Sequence, residues 1–248
     1  MKWLWITIIQ LIFAVFIYVM WAFFFGIALM PVLFLLFKVW QITSMFPLWQ
    51  RVSLLSMTLA VGYFLFGLTL IFTIGIFRTV FRLRLKEGMY SMYSIEALKW
   101  AFLSSLYLTI HYTFMDFVLV TPFANLLFRM LGAKLGKNVQ FNSKFIFDAS
   151  LLEIGDNTVV GGGAIIDCHM VERGKLKLKK VKIGKNVTLG SHSTIMPGCE
   201  IGDSAIISAS AVLQKDTKVE RRDIWYGIPA ESMRQKVRKD KEDMDKNP

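Results

Sequence analysis

Cysteine, histidine and charge are each scarce in a way that excludes something. The 248 residues hold two cysteines, Cys168 and Cys199, with no Cys-x-x-Cys pair. That excludes a disulfide framework and fits reduced thiols in a cytosol-facing domain. There are three histidines, His111, His169 and His192, one of them inside an apolar stretch. A tetrahedral metal centre needs several ligands gathered on one face, and the Asp and Glu residues are not clustered either, so no metal is expected. Charge is absent altogether from residues 3 to 37 and again from 52 to 77. Stretches of that length are not needed by a small soluble core.

What is present is apolar and basic. Hydrophobic residues make up 54% of the chain, with 21 Phe and 7 Trp. They are concentrated before about residue 130; from 133 on the sequence is rich in Gly, Asn, Asp, Ser and Lys. That shift divides the chain into a membrane domain (1–132), a repeat domain (133–230) and a charged C-terminal tail (231–248). The formal net charge of +11 points to nucleic acid, an anionic membrane surface or a phosphate-bearing ligand. Beside long apolar runs a basic excess marks the cytoplasmic side of a membrane, so the lipid bilayer is the expected partner and nucleic acid is not.

A bilayer core needs roughly 20 apolar residues. Residues 3–37 therefore make one long tilted span, or a hairpin broken near Gly26 to Pro31, where proline removes a backbone donor. The run is too long and too aromatic for a cleaved signal peptide. Residues 52–77 make a second span, bounded by Arg51 and by Arg78, Arg82, Arg84 and Lys86. The positive-inside rule puts that basic end in the cytoplasm. The third apolar region, 95–128, holds Lys99, His111, Asp116 and Pro122 and is read as an interfacial or re-entrant segment. The expected location is the cell membrane, multi-pass, with the C-terminal domain facing the cytoplasm. The tail from Lys236 is expected to fray.

From Leu135 the sequence repeats in sixes. Ile-Gly-Asp-Asn-Thr-Val (154–159), Ile-Gly-Lys-Asn-Val-Thr (183–188), Leu-Gly-Ser-His-Ser-Thr (189–194) and Ile-Gly-Asp-Ser-Ala-Ile (201–206) show the pattern. A fixed short period signifies a solenoid. Each unit is a short strand plus a turn, and three units make one triangular coil of 18 residues, the separation of Ile183 and Ile201. The aliphatic residue points inward, as does the small residue four places on (Thr158, Ala164, Val187, Ser193, Cys199, Ala205, Ala211). The glycine is expected to supply backbone freedom at the turn. Cys199 is thus core, whereas Cys168 is expected outward and unpaired. Ile154 and Ile183 are one coil plus 11 residues apart, so residues 172–182 form an extruded loop. Its alternation of Arg173, Lys175, Lys177, Lys179, Lys180 and Lys182 with Leu176, Leu178 and Val181 predicts a β-hairpin arm whose cations meet lipid head groups or donor phosphates, or are simply solvated.

Residues 133–236, and above all the run 181–204 with the closing Trp-Tyr-Gly-Ile-Pro-Ala (225–230), resemble the hexapeptide-repeat acyltransferases. The loop His169-Met-Val-Glu172, followed by Lys177-Leu and Val181-Lys-Ile-Gly, and the approach Lys86 to Trp100, look similar to the membrane-embedded terminal domains of ε-poly-lysine-type peptide synthetases. The resemblance implies a mixed fold: N-terminal transmembrane α-helices followed by a left-handed parallel β-helix. It also implies a homotrimer with active sites between subunits, and acetyl-CoA or another phosphopantetheine thioester as donor. This chain lacks adenylation and carrier domains, so a carrier protein or other source must deliver any activated acyl group. A lipid-linked acceptor is one way to use the membrane part; simple anchoring is another.

Acyl transfer needs a base for the acceptor proton and donors for the oxyanion. In galactoside- and xenobiotic-type members a catalytic His precedes an extruded loop, and His169 holds that place here. Glu172 is the candidate to orient it, or a solvated loop acid. Gly190 and Ser191 are candidate oxyanion donors, and His192 a donor contact or a turn residue. Ala209, Trp225 and Gly227 are further donor-binding candidates, while Lys215, Arg221, Arg222 and Arg234 are candidates for nucleotide phosphates. Two readings remain open beside the enzyme. One is a trimeric scaffold, since solenoids make rigid surfaces. The other is a γ-type carbonic anhydrase, which shares the fold but needs histidines that this chain lacks.

Overall fold

The computed structural model describes residues 2–238; residues 239–248 of the charged tail, where fraying is expected, lie outside the described residues. The chain forms two compact units, residues 1–81 with 105–114, and residues 82–104 with 115 onward. Residues 82–104 and 115–132, apolar in composition, thus group with the repeats.

In the first unit, α1 (Lys2–Ile42) and α2 (Leu48–Val80) form an antiparallel hairpin. Pro31 lies inside α1 without dividing it, so of the two sequence alternatives the single long helix is observed. The pairing is specified by a small residue opposite a branched one: a Cβ at Gly62 would come within 2.7 Å of Val32 Cγ1. Aromatic edges extend the contact, with Phe24 and Phe77 ring centroids 5.1 Å apart. At the turn, Arg51 lies 3.3 Å over the Trp40 ring. Among the described residues these two helices are long and apolar enough to cross a membrane. The third apolar region is broken into α3 (Ile95–Thr113), α4 (Met115–Val118) and α5 (Pro122–Met130). Thr121 caps α5 by accepting from the Phe123 N–H, and Pro122 at the first turn costs no hydrogen bond.

The second unit is a left-handed parallel β-helix. Three parallel sheets form its faces. Strand Thr188–Leu189 pairs with Ile206–Ile207 on one face, Thr194–Ile195 with Val212–Leu213 on the second, and Glu200–Ile201 with Lys182–Ile183 on the third. Each register step is 18 residues, as the period predicts. Across the insertion the step becomes 29, Ile154 opposite Ile183. The inward column is dry: Val160, Ile166, Leu189, Ile195, Ile207 and Leu213 are all fully buried. So are the small residues Thr158, Ala164, Ser193, Cys199, Ala205 and Ala211.

The turns revise the role given to glycine. The glycines of the Ile-Gly pairs are needed for close approach. A Cβ at Gly155 would stand 2.7 Å from the backbone of Gly184 and Lys185 in the next coil. The left-handed backbone falls instead two residues later, at Asn157 (φ 56°), Asn186 (φ 53°) and Ser204 (φ 57°). Asn tolerates that region because its short polar side chain bonds locally.

The insertion is a hairpin of strands His169–Glu172 and Lys175–Leu178, which begins at His169 itself. Strand Gly88–Ser91 adds to its outer edge, making a three-stranded antiparallel sheet. Most of the arm's cations are already engaged. Lys177 and Lys179 pair with Asp216, Lys180 with Glu87, and Lys182 with Glu200.

Candidate active site

His169 stands where the coil opens into the hairpin, and the register brings a carboxylate to it. Ile146 is bridged to Ile166 on the neighbouring coil, so both segments run to the same corner. Asp148 lies two residues beyond one and His169 three beyond the other. Asp148 has a left-handed backbone (φ 56°), and its Oδ2 is 2.5 Å from His169 Nδ1. The Asp148 side chain is 1% exposed and that of His169 25%, so the carboxylate is inside and the imidazole reaches the surface.

A carboxylate accepts and cannot donate, so Nδ1 carries the hydrogen and Nε2 keeps a lone pair. Burial by itself lowers the imidazole pKa. The hydrogen bond and charge of Asp148, with the charge of Asp167, outweigh burial and hold His169 above the ordinary histidine value. Burial raises the Asp167 carboxyl above its usual range, Asp148 adds to this and His169 opposes it. Two rings flank the imidazole: Trp100, with centroids 4.8 Å apart, and Phe147, edge-on at 6.4 Å.

Glu172 is not the orienting acid. It lies at the far end of its strand from His169, and its Oε1 accepts from Lys215 Nζ at 2.5 Å. Together with the pairs on Asp216, this bond clamps the arm to the turn after Leu213. The carboxylate bonded to His169 is Asp148. Residues 141–153 do not spell the hexapeptide, so nothing in the repeat marks Asp148. The available signal was positional, since Asp148 is one coil back from His169. Trp100 carries no such signal.

The remaining candidates occupy three different corners of one subunit. Gly190, Ser191 and His192 share a turn, and Ala209 lies in the turn stacked on it, where Ser210 N–H bonds Ser191 O at 2.9 Å. Gly227 follows in the next coil, its carbonyl accepting from Val212 N–H. The Gly190 amide already donates to Ile207 O at 2.7 Å, which removes it as an oxyanion donor and leaves Ser191. His192 is an exposed left-handed turn residue (φ 58°) whose ring fills the space above Gly163. Lys215 is at the hairpin's corner. Arg221 and Arg222 are at the third, where Arg234 donates to both of their carbonyls. Trp225 Nε1 donates to Asp223 at 2.8 Å. Within one subunit these residues do not gather around His169.

Cys168 is corrected from outward to buried: the chain turns inward once more before the hairpin leaves, and its thiol is fully enclosed. Burial, and then the charge of Asp148, raises its pKa well above that of a free thiol. Burial likewise pushes the Cys199 thiol up to about 11. The thiolate is the reactive species, so neither cysteine should react with iodoacetamide at pH 7.5 in the native protein. Both should react after denaturation, as read by intact mass. Native labelling at Cys168 would contradict its enclosure. Among the described residues no group of three or more His, Cys, Asp or Glu is placed to hold a metal ion.

Comparison with known proteins bears on the repeats. Residues 180–215 match the family model described as bacterial transferase hexapeptide (six repeats). The chain is 36% identical over 103 residues to YvoF of Bacillus subtilis (strain 168), a protein named as an acetyltransferase; the match covers 39% of this chain and 60% of that one. It is 30% identical over 115 residues to galactoside O-acetyltransferase of Escherichia coli (strain K12), covering 43% and 56%. It is 23% identical over 146 residues to delta-poly-L-ornithine synthetase of Acinetobacter baumannii (strain AB307-0294), covering 59% and 10%. The chain thus spans less than two thirds of each relative. A solved galactoside acetyltransferase in complex with coenzyme A superposes with a TM-score of 0.46 at 19% identity, over 59% of this chain and 86% of that one. Residues 180–215 are hexapeptide repeats of the bacterial transferase type, and the β-helix that contains them is similar in sequence to proteins named as acetyltransferases.

Proposed function

We propose that this chain is a membrane-anchored acyltransferase. It moves an acyl or aminoacyl group from a CoA or phosphopantetheine thioester to a hydroxyl or amine, with His169 as general base. The observation that carries this reading is the buried Asp148 bonded to Nδ1 of a half-buried His169. A scaffold has no need of such a pair. The names of the curated relatives, acetyltransferases among them, support the reaction class.

In the reaction, Nε2 of His169 takes the proton from the acceptor O–H or N–H as its lone pair attacks the thioester carbonyl carbon. Asp148 stabilises the imidazolium that forms. A Ser191 amide or an equivalent donor holds the oxyanion. Collapse breaks the C–S bond, and the leaving thiolate recovers the proton from Nε2. The donor-binding candidates lie on three corners of one subunit, so a homotrimer, in which one subunit's turns face the next subunit's hairpin, is the assembly that would complete the site. The helices Thr7–Ile42 and Leu48–Val80 support anchoring, and the basic residues after α2 support a cytoplasmic β-helix.

The test is thiol release from acetyl-CoA by the full chain in mild detergent, with a panel of amines and alcohols, and with an acyl carrier protein as alternative donor. Acceptor-dependent release supports the assignment. A protein that elutes as a folded oligomer and releases thiol from neither donor overturns it.

A further inference from the structure

His169 is not isolated on its sheet. Gly88 pairs with Leu178, and Leu178 pairs with His169. Directly opposed residues of antiparallel strands project to the same face, so Leu178 and the imidazole share one side. Leu178 is buried, and it also forms part of a pocket of about 190 Å³ lined by Arg84, Lys86, Tyr90, Glu96 and Lys99. Helix α3 borders both places. Lys99 and Glu96 border the pocket from the first turns of α3, and the next residue, Trp100, lies against the imidazole.

The charges of this pocket are unbalanced. Arg84, Lys86 and Lys99 bring three cations against one acid, Glu96. Among the described residues none of the three cations forms an ion pair or side-chain hydrogen bond, while the hairpin lysines next door nearly all do. Lys99 is half-buried, and Arg84 and Lys86 are exposed at the rim. A guanidinium and two ammonium groups around a small pocket match the three-dimensional charge of a phosphate. The chain also fixes where that phosphate comes from. Arg84 follows Val80, the last residue of α2, by only four positions, and Arg82, Arg84 and Lys86 directly after an apolar helix form the pattern that engages lipid phosphates.

We propose that this pocket holds the phosphate of a lipid, and that the lipid is the acyl acceptor. Its headgroup hydroxyl or amine then reaches Nε2 of His169 beneath Trp100. The proposal rests on His169 as the acceptor base. The step is the one above: the headgroup O or N gains the acyl carbon and passes its proton to His169, and the thiol leaves with that proton.

Binding is tested apart from turnover. For turnover the acceptor is dioctanoyl phosphatidylethanolamine, whose amine phosphatidic acid lacks. N-acylated lipid is expected by mass spectrometry, whereas its absence while a small amine or alcohol is acylated overturns the lipid as acceptor. The full chain in dodecylmaltoside is titrated calorimetrically with dioctanoyl phosphatidic acid, with dioctanoylglycerol, which lacks the phosphate, and with glycerol 3-phosphate, which lacks the chains. Phosphatidic acid should bind at least tenfold tighter than either. Arg84→Gln/Lys86→Gln/Lys99→Gln should weaken it at least tenfold, and the surface control Lys137→Gln/Lys218→Gln by less than twofold. If the triple variant does not elute as folded, Lys99→Gln alone should cost at least threefold. Unchanged binding in the pocket variant, or equal loss in the control, overturns the site. Glycerol 3-phosphate binding as tightly as the lipid overturns the lipid source. His169→Ala should bind phosphatidic acid like wild type. Lipid binding that persists while that variant keeps full turnover would sink the base assignment and leave the pocket; lost pocket binding with a His169-dependent turnover would do the reverse.

Discussion

Alanine at position 169 is expected to lower kcat/KM for acetyl-CoA-dependent transfer by about 10²–10⁴, with the oligomeric state retained and the thermal midpoint lowered, because the buried Asp148 carboxylate loses its partner. The imidazole lies at the open end of the hairpin, so its removal leaves the stacked core untouched. Asp148→Asn separates two roles of the carboxylate. Wild-type kcat/KM should rise with pH as His169 loses its proton, along a limb above the ordinary value of 6.5, because Asp148 and Asp167 outweigh burial. Removing the Asp148 charge should move that limb to lower pH. It should also lower the plateau, because Asn no longer fixes the hydrogen on Nδ1. Stability follows the same linkage with a definite sign. The folded pKa is raised, so the pair's contribution is fully present below the unfolded value and is lost as pH rises through the folded one. A limb that stays in place in Asp148→Asn would show that the pair does not set the basicity of His169.

Leu189→Ala should destabilise the β-helix by about 2–5 kcal/mol. Leu189 is fully buried and lies between Val160 of one coil and Ile207 of the next. The coil above and the coil below are held by their own ladders, so they cannot collapse onto the cavity. Thr188→Ala, one residue away with its side chain outward, should change stability by less than about 0.5 kcal/mol. Hydrogen exchange of the strand amides between residues 183 and 213 reads both effects directly. Because a solenoid is held by nearest-neighbour coils, the Leu189→Ala loss should be centred on the coils that flank it. Equal effects at 188 and 189 would mean that the inward and outward assignments are wrong.

Two features of the site separate what a linear pattern can carry from what it cannot. The Asp148–His169 pair was half legible. His169 stood out because it precedes a break in an 18-residue period. Asp148 did not, because Phe141 to Glu153 satisfies the coil geometry without the Ile-Gly text, so its carboxylate looked like any loop acid. Glu172, by contrast, sat at the right sequence distance. A strand residue three places from His169 is carried along the hairpin away from it, and Lys215, in the turn two coils on, takes its charge. Cys168 was misplaced for a related reason, since the chain turns inward once more at Cys168 and the hairpin then departs at His169, three residues before residue 172, where the insertion arithmetic put it.

By itself, the sequence determined the architecture: two apolar runs free of charge, then a period of six whose aliphatic and small positions must face a narrow core. Those properties are local and repeated, so burial of two residues in six enforces them coil after coil. The presence of an insertion followed in the same way from the excess of residues over one coil, but its hairpin begins at His169, three residues before the 172–182 that the period gave. Only the tertiary structure decided which acid meets His169, which cations are neutralised and which are left over, and that Trp100 covers the imidazole. These depend on strand Gly88–Ser91 docking on the edge of a hairpin some 85 residues later. Edge pairing through backbone hydrogen bonds is nearly indifferent to side-chain identity, so it leaves no mark in the sequence that could have announced it.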